Sequence, residues 1–258
     1  MTKGELQQPS APITIDSYLR SLEREGQALA ETAAKAGTGA FVPTCPGWQV
    51  SQLLRHTGVV HQWAAGILRS GAPGYQPMGP EPTTDGEALV EWYRTAHRQL
   101  LDALRAAPQD LECWTFLPAA SPLAFWARRQ AHETTVHRLD AEAALGIEYT
   151  DCAAAFAEDG LDELTAGFHG LDRSKVRTPG PRVLQLHATD TGSRWTMTLS
   201  EEKPPQTVRG ETAPAECQLA APAATLYAAL WNRRPLTALT ITGDIRLAEL
   251  WRDTSPIG

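Results

Sequence analysis

"LAFWARRQAHETTVHRLDAEAALG" (residues 123–146) decides how the chain is read. It is Ala-rich, is stopped by Gly146, and reads as one long helix. At about 100° per residue, Trp126, Arg129, Glu133, His137 and Asp140 fall in a single narrow stripe. His132 lies well off that stripe, and Arg138 and Glu142 point away from it. A stripe facing a core should be apolar, and a stripe facing water should not contain Trp126. The mixture fits a polar cavity inside a helical bundle.

The neighbouring segments supply the rest of such a bundle. "IDSYLRSLEREGQALAETAAKA" (15–36) reads as a helix with Asp16 as its N-cap, ending before Gly37. Helices are also expected over 49–70, with Leu53, Val60, Trp63 and Ile67 in phase, and over 84–107, with Leu89, Trp92, Ala96, Leu100 and Leu104 in phase. A shorter helix is expected over 153–169. Four long helices joined by ordered loops imply a four-helix bundle. The character changes at "LDRSKVRTPGPR" (171–182). Beyond it "VLQLHAT", "RWTMTLS", "AECQLA" and "LTALTIT" read as strands, Trp195, Met197 and Leu199 alternating with Thr196 and Thr198. A helix over 222–232 and a last one capped by Asp244 complete the pattern. The expectation is an α+β chain of two domains: a helical bundle over 1–170 and a small α+β domain over 171–258.

Composition narrows the function classes. A net charge of −7 over 258 residues is not the basic footprint of a nucleic-acid binder. No apolar run approaches the roughly 20 residues that span a bilayer, and "MTKGELQQPSAP" lacks a signal-peptide core. A soluble, cytoplasmic protein without nucleic-acid or membrane partners is expected. Cys45, Cys113, Cys152 and Cys217 are scattered and read as reduced, small apolar residues.

A metal on the polar stripe needs a ligand from another helix. His56 shares its face with Leu53, Val60, Trp63 and Ile67 and so points inward. His61 lies about 140° around the same helix and is expected to face water. His56, Glu133 and His137 make the His₂Glu pattern of catalytic zinc sites, which keep a fourth position open. From the residues alone two readings stand: a metal triad, or buried histidines that satisfy a carboxylate.

"TCPGWQVSQLLRHTGVVHQW" (44–63) and "HETTVHRLDAE" (132–142) resemble the two signatures of the mycothiol-dependent maleylpyruvate isomerase family. "LHATDTGSRWTMTL" (186–199) and "LYAALWNRRPLTALTITGD" (226–244) resemble its small C-terminal domain. The resemblance runs along nearly the whole chain. It implies a DinB-like metal-binding bundle followed by a small α/β domain. It also implies a divalent metal, usually zinc, on His56, Glu133 and His137, and mycothiol as the low-molecular-weight thiol cosubstrate. Arg233 aligns with an arginine used for substrate binding, with Arg234 adjacent and the register between them open.

The implied chemistry is isomerisation of, or S-transfer to, a small electrophile by a metal-held thiolate. Arg129 or Arg233 would hold a substrate carboxylate, the alternative for Arg129 being a salt bridge to Asp140 or Glu133. Asp140 would orient a ligand or an arginine from behind. Cys45 and Trp48 read as structural parts of the turn before the second helix, and loops 71–84 and 108–122 as the entrance. A non-enzymatic metal- or small-molecule-binding protein and a metallohydrolase are the competing functional classes.

Overall fold

A computed structural model describes residues 13–210 and 214–256. The N-terminal stretch read above for a signal peptide lies outside them. Four long helices come first: α1 (Ile15–Ala36), α2 (Val50–Ser70), α3 (Gly86–Ala106) and α4 (Pro122–Leu145). Their ends follow local chemistry. The cap of α1 is Thr14 and not Asp16: Thr14 is extended and its hydroxyl accepts the Ser17 N–H. Asp16 sits in the first turn, where its charge faces the positive end of the helix. Ser121 caps α4 ahead of Pro122, and Gly146 ends it with φ +74°, a left-handed value that favours glycine.

The helices form a square bundle in which α1 packs against α4 and α3, and α2 packs against α3 and α4. The diagonal pairs, α1 with α2 and α3 with α4, touch little. This arrangement corrects the expectation for His61. Its helix is covered on two sides, so a residue 140° from the His56 face meets α3 and α4 and not water. His61 is fully buried, its Nε2 lies 2.9 Å from Thr134 Oγ1, and its ring packs beside Tyr93 and His97.

The second half begins with α5 (Ala154–Asp162), which runs directly into a π-helical turn, Glu163–Phe168. A five-stranded sheet follows, ordered β3-β2-β1-β4-β5. The strands are β1 (Arg182–Ala188), β2 (Arg194–Leu199), β3 (Gln206–Arg209), β4 (Cys217–Ala221) and β5 (Thr240–Gly243). Only the β1–β4 pair is parallel. Between β4 and β5 lies α6 (Ala223–Leu230), and α7 (Ile245–Thr254) closes the fold with Asp244 as its cap. Trp195, Met197 and Leu199 are buried as the alternation required. Two details differ from expectation. Leu236–Ala238 is a 3₁₀ turn, so β5 is shorter than the apolar run suggested. β3 carries no apolar alternation and owes its form to pairing with β2. Among the described residues no helix is long and apolar enough to cross a membrane.

α5 packs on α6 and sends Asp159 onto the outer side of α4, and the π turn that follows adds Glu163. Between α1, α2 and this second half, α4 is buried on nearly every side from Leu123 to Glu142. Its polar side chains therefore have to find partners in three directions. Arg138 pairs with Glu25 of α1 and with Glu142. His132 pairs with Asp159 and lies 3.1 Å from the Tyr227 hydroxyl of α6. The third direction, toward α2, holds the candidate site.

Candidate metal centre

His56 of α2 and Glu133 and His137 of α4 bring one ligand atom each to within 4.8 Å of one another. Glu133 Oε1 is the shared vertex, 3.3 Å from His56 Nε2 and 3.1 Å from His137 Nε2. The positions four apart on α4 stack their side chains one turn above the other, and α2 supplies the third donor from across the bundle. His56 keeps 38% of its side chain exposed, so the cluster opens on one side.

Each α4 member of the cluster is held from behind. Asp140 Oδ2 accepts from His137 Nδ1 at 2.8 Å, which turns Nε2 toward the cluster. Asp140 is fully buried and is held in turn by Arg233 through Nε and Nη2, both at 2.9 Å, and by the Thr44 hydroxyl at 2.5 Å. Arg129 Nη2 donates to Glu133 Oε2 at 2.8 Å, leaving Oε1 to face the imidazoles. The other end of Arg129 meets the buried carboxylate of Glu163. Arg129 thus bridges Glu133 and Glu163, and Arg233 takes the place beside Asp140. Arg234 points elsewhere, over the Tyr149 ring at 5.0 Å and 3.5 Å from Asp151.

Burial by itself would raise the Glu133 carboxyl, but His137, His56 and Arg129 outweigh it and hold the group well below the usual range. Burial would likewise lower the His137 imidazolium, yet Glu133 and Asp140 raise it to about 9. Asp140 lies below the ordinary carboxylate range: burial opposes ionisation, and His137 and Arg233 overcome it. Cys45 behaves differently. Burial and the Asp140 charge push its thiol up to about 12, although Arg233 Nη2 approaches its sulfur at 3.5 Å. A thiol held that high is a poor nucleophile, in keeping with a structural residue.

The turn over 44–48 forms one wall. Gly47, at φ +84°, lets the chain reverse so that the Trp48 N–H reaches Cys45 O. The Trp48 ring then lies 5.1 Å from the His56 ring and stacks at 6.3 Å on His137. Trp48 is thus part of the site as well as of the turn. Two turns further along the same faces, Trp63 and Trp126 meet edge to face at 5.2 Å, with Trp114 beside them. The Trp63 indole N–H donates to Gln76 O at 2.6 Å and the Trp114 backbone N–H to Ala72 O at 2.8 Å, which ties both neighbouring loops to this cluster. Sequence reasoning missed Glu163, Thr44 and the ring contact of Trp48. All three reach the site across 30 or more residues or through a turn, where helical spacing carries no signal.

Residues 19–142 match the mycothiol maleylpyruvate isomerase N-terminal domain, and residues 151–250 match the MDMPI C-terminal domain. The chain belongs to the mycothiol maleylpyruvate isomerase family. The two matched regions take in His56, Glu133 and His137 on one side and Arg233 on the other. Among solved structures, the chain is similar to the mycothiol-dependent maleylpyruvate isomerase and to a histidine-to-alanine variant of it. Each match has a TM-score of 0.62 at 16% identity, covering 89% of this chain and 93% of the other. That likeness is one of fold, α+β with two domains. Comparison with curated protein sequences finds no match.

Proposed function

We propose that this family member is a metal- and thiol-dependent enzyme. His56, Glu133 and His137 hold a divalent ion, zinc by its donor set, and mycothiol acts on a small electrophile to isomerise it or to form a thioether. The observation that carries the reading is the convergence of three donors on one point, open on one side and braced behind. Two imidazoles and a carboxylate suit zinc better than calcium or magnesium, which prefer all-oxygen shells. His137, with Nδ1 donating to Asp140, has its Nε2 left for ligation.

An ion held here by His56, Glu133 and His137 would supply acidity, bringing a thiol from its usual pKa of about 8.5 to a thiolate at neutral pH. The side chains do the rest. Trp48 walls one side of the cluster and gives the reactants an apolar surface. Arg233 has both bonds to Asp140 and one to Trp231 O, which leaves N–H capacity for a substrate carboxylate. Of the two arginines it is the better substrate group, because Arg129 has only 4% of its side chain exposed and both ends committed.

The test uses purified protein. Metal analysis should find one equivalent, and His56→Ala should lose it. Thiol consumption is then followed with a panel of conjugated electrophiles, maleylpyruvate among them, with and without mycothiol. A wild-type protein without metal, unchanged by His56→Ala, would sink the metal reading. Turnover by water alone would make the site a metallohydrolase, and metal binding without turnover would leave a binding protein.

A further inference from the structure

We propose that Glu163 is a positioning residue for the metal ligand Glu133, acting through Arg129. The inference rests on the metal reading above and adds to it a residue from the other half of the chain. Arg129 links the two carboxylates. Its Nη2 holds Glu133 Oε2 at 2.8 Å, and its Nη1 is paired with Glu163 Oε2. Side chains of both Arg129 and Glu163 are nearly inaccessible, 4% and 1% exposed, so neither end of the pair is loosened by water.

The faces of the guanidinium are fixed too. Phe168 lies 5.1 Å from Arg129 Cζ and Trp231 lies 5.7 Å away. Glu163 and Phe168 are the first and last residues of the π-helical turn. In an α-helix, residues five apart point about 140° away from each other. A π turn, hydrogen-bonded i to i+5, brings them onto one side. The widened turn is therefore what lets one segment grip the same guanidinium by its edge and by its face.

The consequence falls on Glu133. With Oε2 held by a cation that cannot rotate or shift, only Oε1 faces His56 and His137, and the carboxylate offers one oxygen to the ion. Partners of this kind behind a ligand are worth about 10- to 100-fold in metal affinity.

The experiment compares the full-length protein with Glu163→Gln and with the double replacement Arg129→Met/Glu163→Met. The double replacement removes the Arg129–Glu163 pair together, so that neither of those two charges is left buried without the other. Zinc affinity is read by competition with a chromophoric chelator, and Co²⁺-loaded protein is read by its visible absorption. Glu142→Gln, which breaks the equally buried Arg138 pair on the same helix, is the control for lost stability. Glu163→Gln and the double variant should weaken zinc binding about 10- to 100-fold and shift the cobalt bands. Glu142→Gln should lower the melting temperature and change neither. Wild-type zinc affinity and wild-type cobalt bands in a folded double variant overturn the role of Glu163 and leave the metal site intact. Failure of the wild-type protein to bind zinc or cobalt overturns both.

Discussion

Asp140→Asn is the change whose outcome the geometry fixes most closely. The carboxylate accepts from four donors: Arg233 Nε and the Thr44 hydroxyl on Oδ1, and His137 Nδ1 and Arg233 Nη2 on Oδ2. An amide in the same place has one oxygen, so whichever way it flips, its NH₂ faces two donors. Two hydrogen bonds to a charged group are lost, each worth about 1.5–3 kcal/mol, and the buried Arg233 cation loses its counter-charge. The two bonds together come to about 3–6 kcal/mol, which overlaps the roughly 3–5 kcal/mol cost of breaking a buried ion pair by removing one partner. The assay is urea unfolding of metal-free protein, so that ligation does not add to the stability. Thr44→Val removes only the hydroxyl bond from the same carboxylate and should cost about 1–2 kcal/mol. A loss below about 1 kcal/mol for Asp140→Asn would refute the view that this carboxylate holds the two halves of the site together.

Three further outcomes follow from the packing and the titrating groups. A Cβ on Gly160 would overlap the edge of the Tyr227 ring and press on His132, so Gly160→Ala should cost about 1–3 kcal/mol by overpacking; an unchanged melting temperature refutes the tight seam between α5, α6 and α4. Burial beside the Trp251 ring pushes His169 down to about 4. The unfolded chain then binds the extra proton, so stability is complete above pH 6.5 and falls by about 3 kcal/mol as pH drops toward 4. His169→Gln should flatten that drop in urea midpoints, and an equal drop would exclude His169 as its source. For Asp159, burial opposes ionisation, but His132 and Arg128 outweigh it and bring the carboxyl to about 2. Its contribution, about 2 kcal/mol, is present above the unfolded value near 3.8 and disappears as pH falls to 2. Asp159→Asn should therefore lose stability at pH 6 and very little at pH 2.

What the sequence made legible was what lies within one helix. Glu133, His137 and Asp140 are three and four residues apart on α4, so facing arithmetic placed them together, and the His56 face of α2 was marked by its apolar neighbours. Gly146 and Asp244 announced a helix end and a helix start by chemistry that depends on one residue. His61 was misplaced because a helical wheel assumes one buried face, whereas α2 is covered by α3 and α4 together. Arg129 was open between substrate and salt bridge because its partner, Glu163, is 34 residues away on a segment whose π turn has no periodic signature. β3 was invisible for a related reason: Gln206–Arg209 is a strand only because β2 pairs with it.

Because α4 is enclosed on nearly every side, its polar residues are not free to change one at a time. Arg129 is matched to Glu163, Asp140 to Arg233, His132 to Asp159 and Arg138 to Glu25, each partner lying on a different element. A substitution at either member takes away part of what satisfies a buried charge or donor. Across relatives of this chain these positions should therefore vary as couples, exchanged together or kept together. Divergence toward new substrates should accumulate in the loops around Tyr75 and Trp114, whose ties to the tryptophan cluster run through the backbone oxygens of Gln76 and Ala72 and so do not fix the side chains.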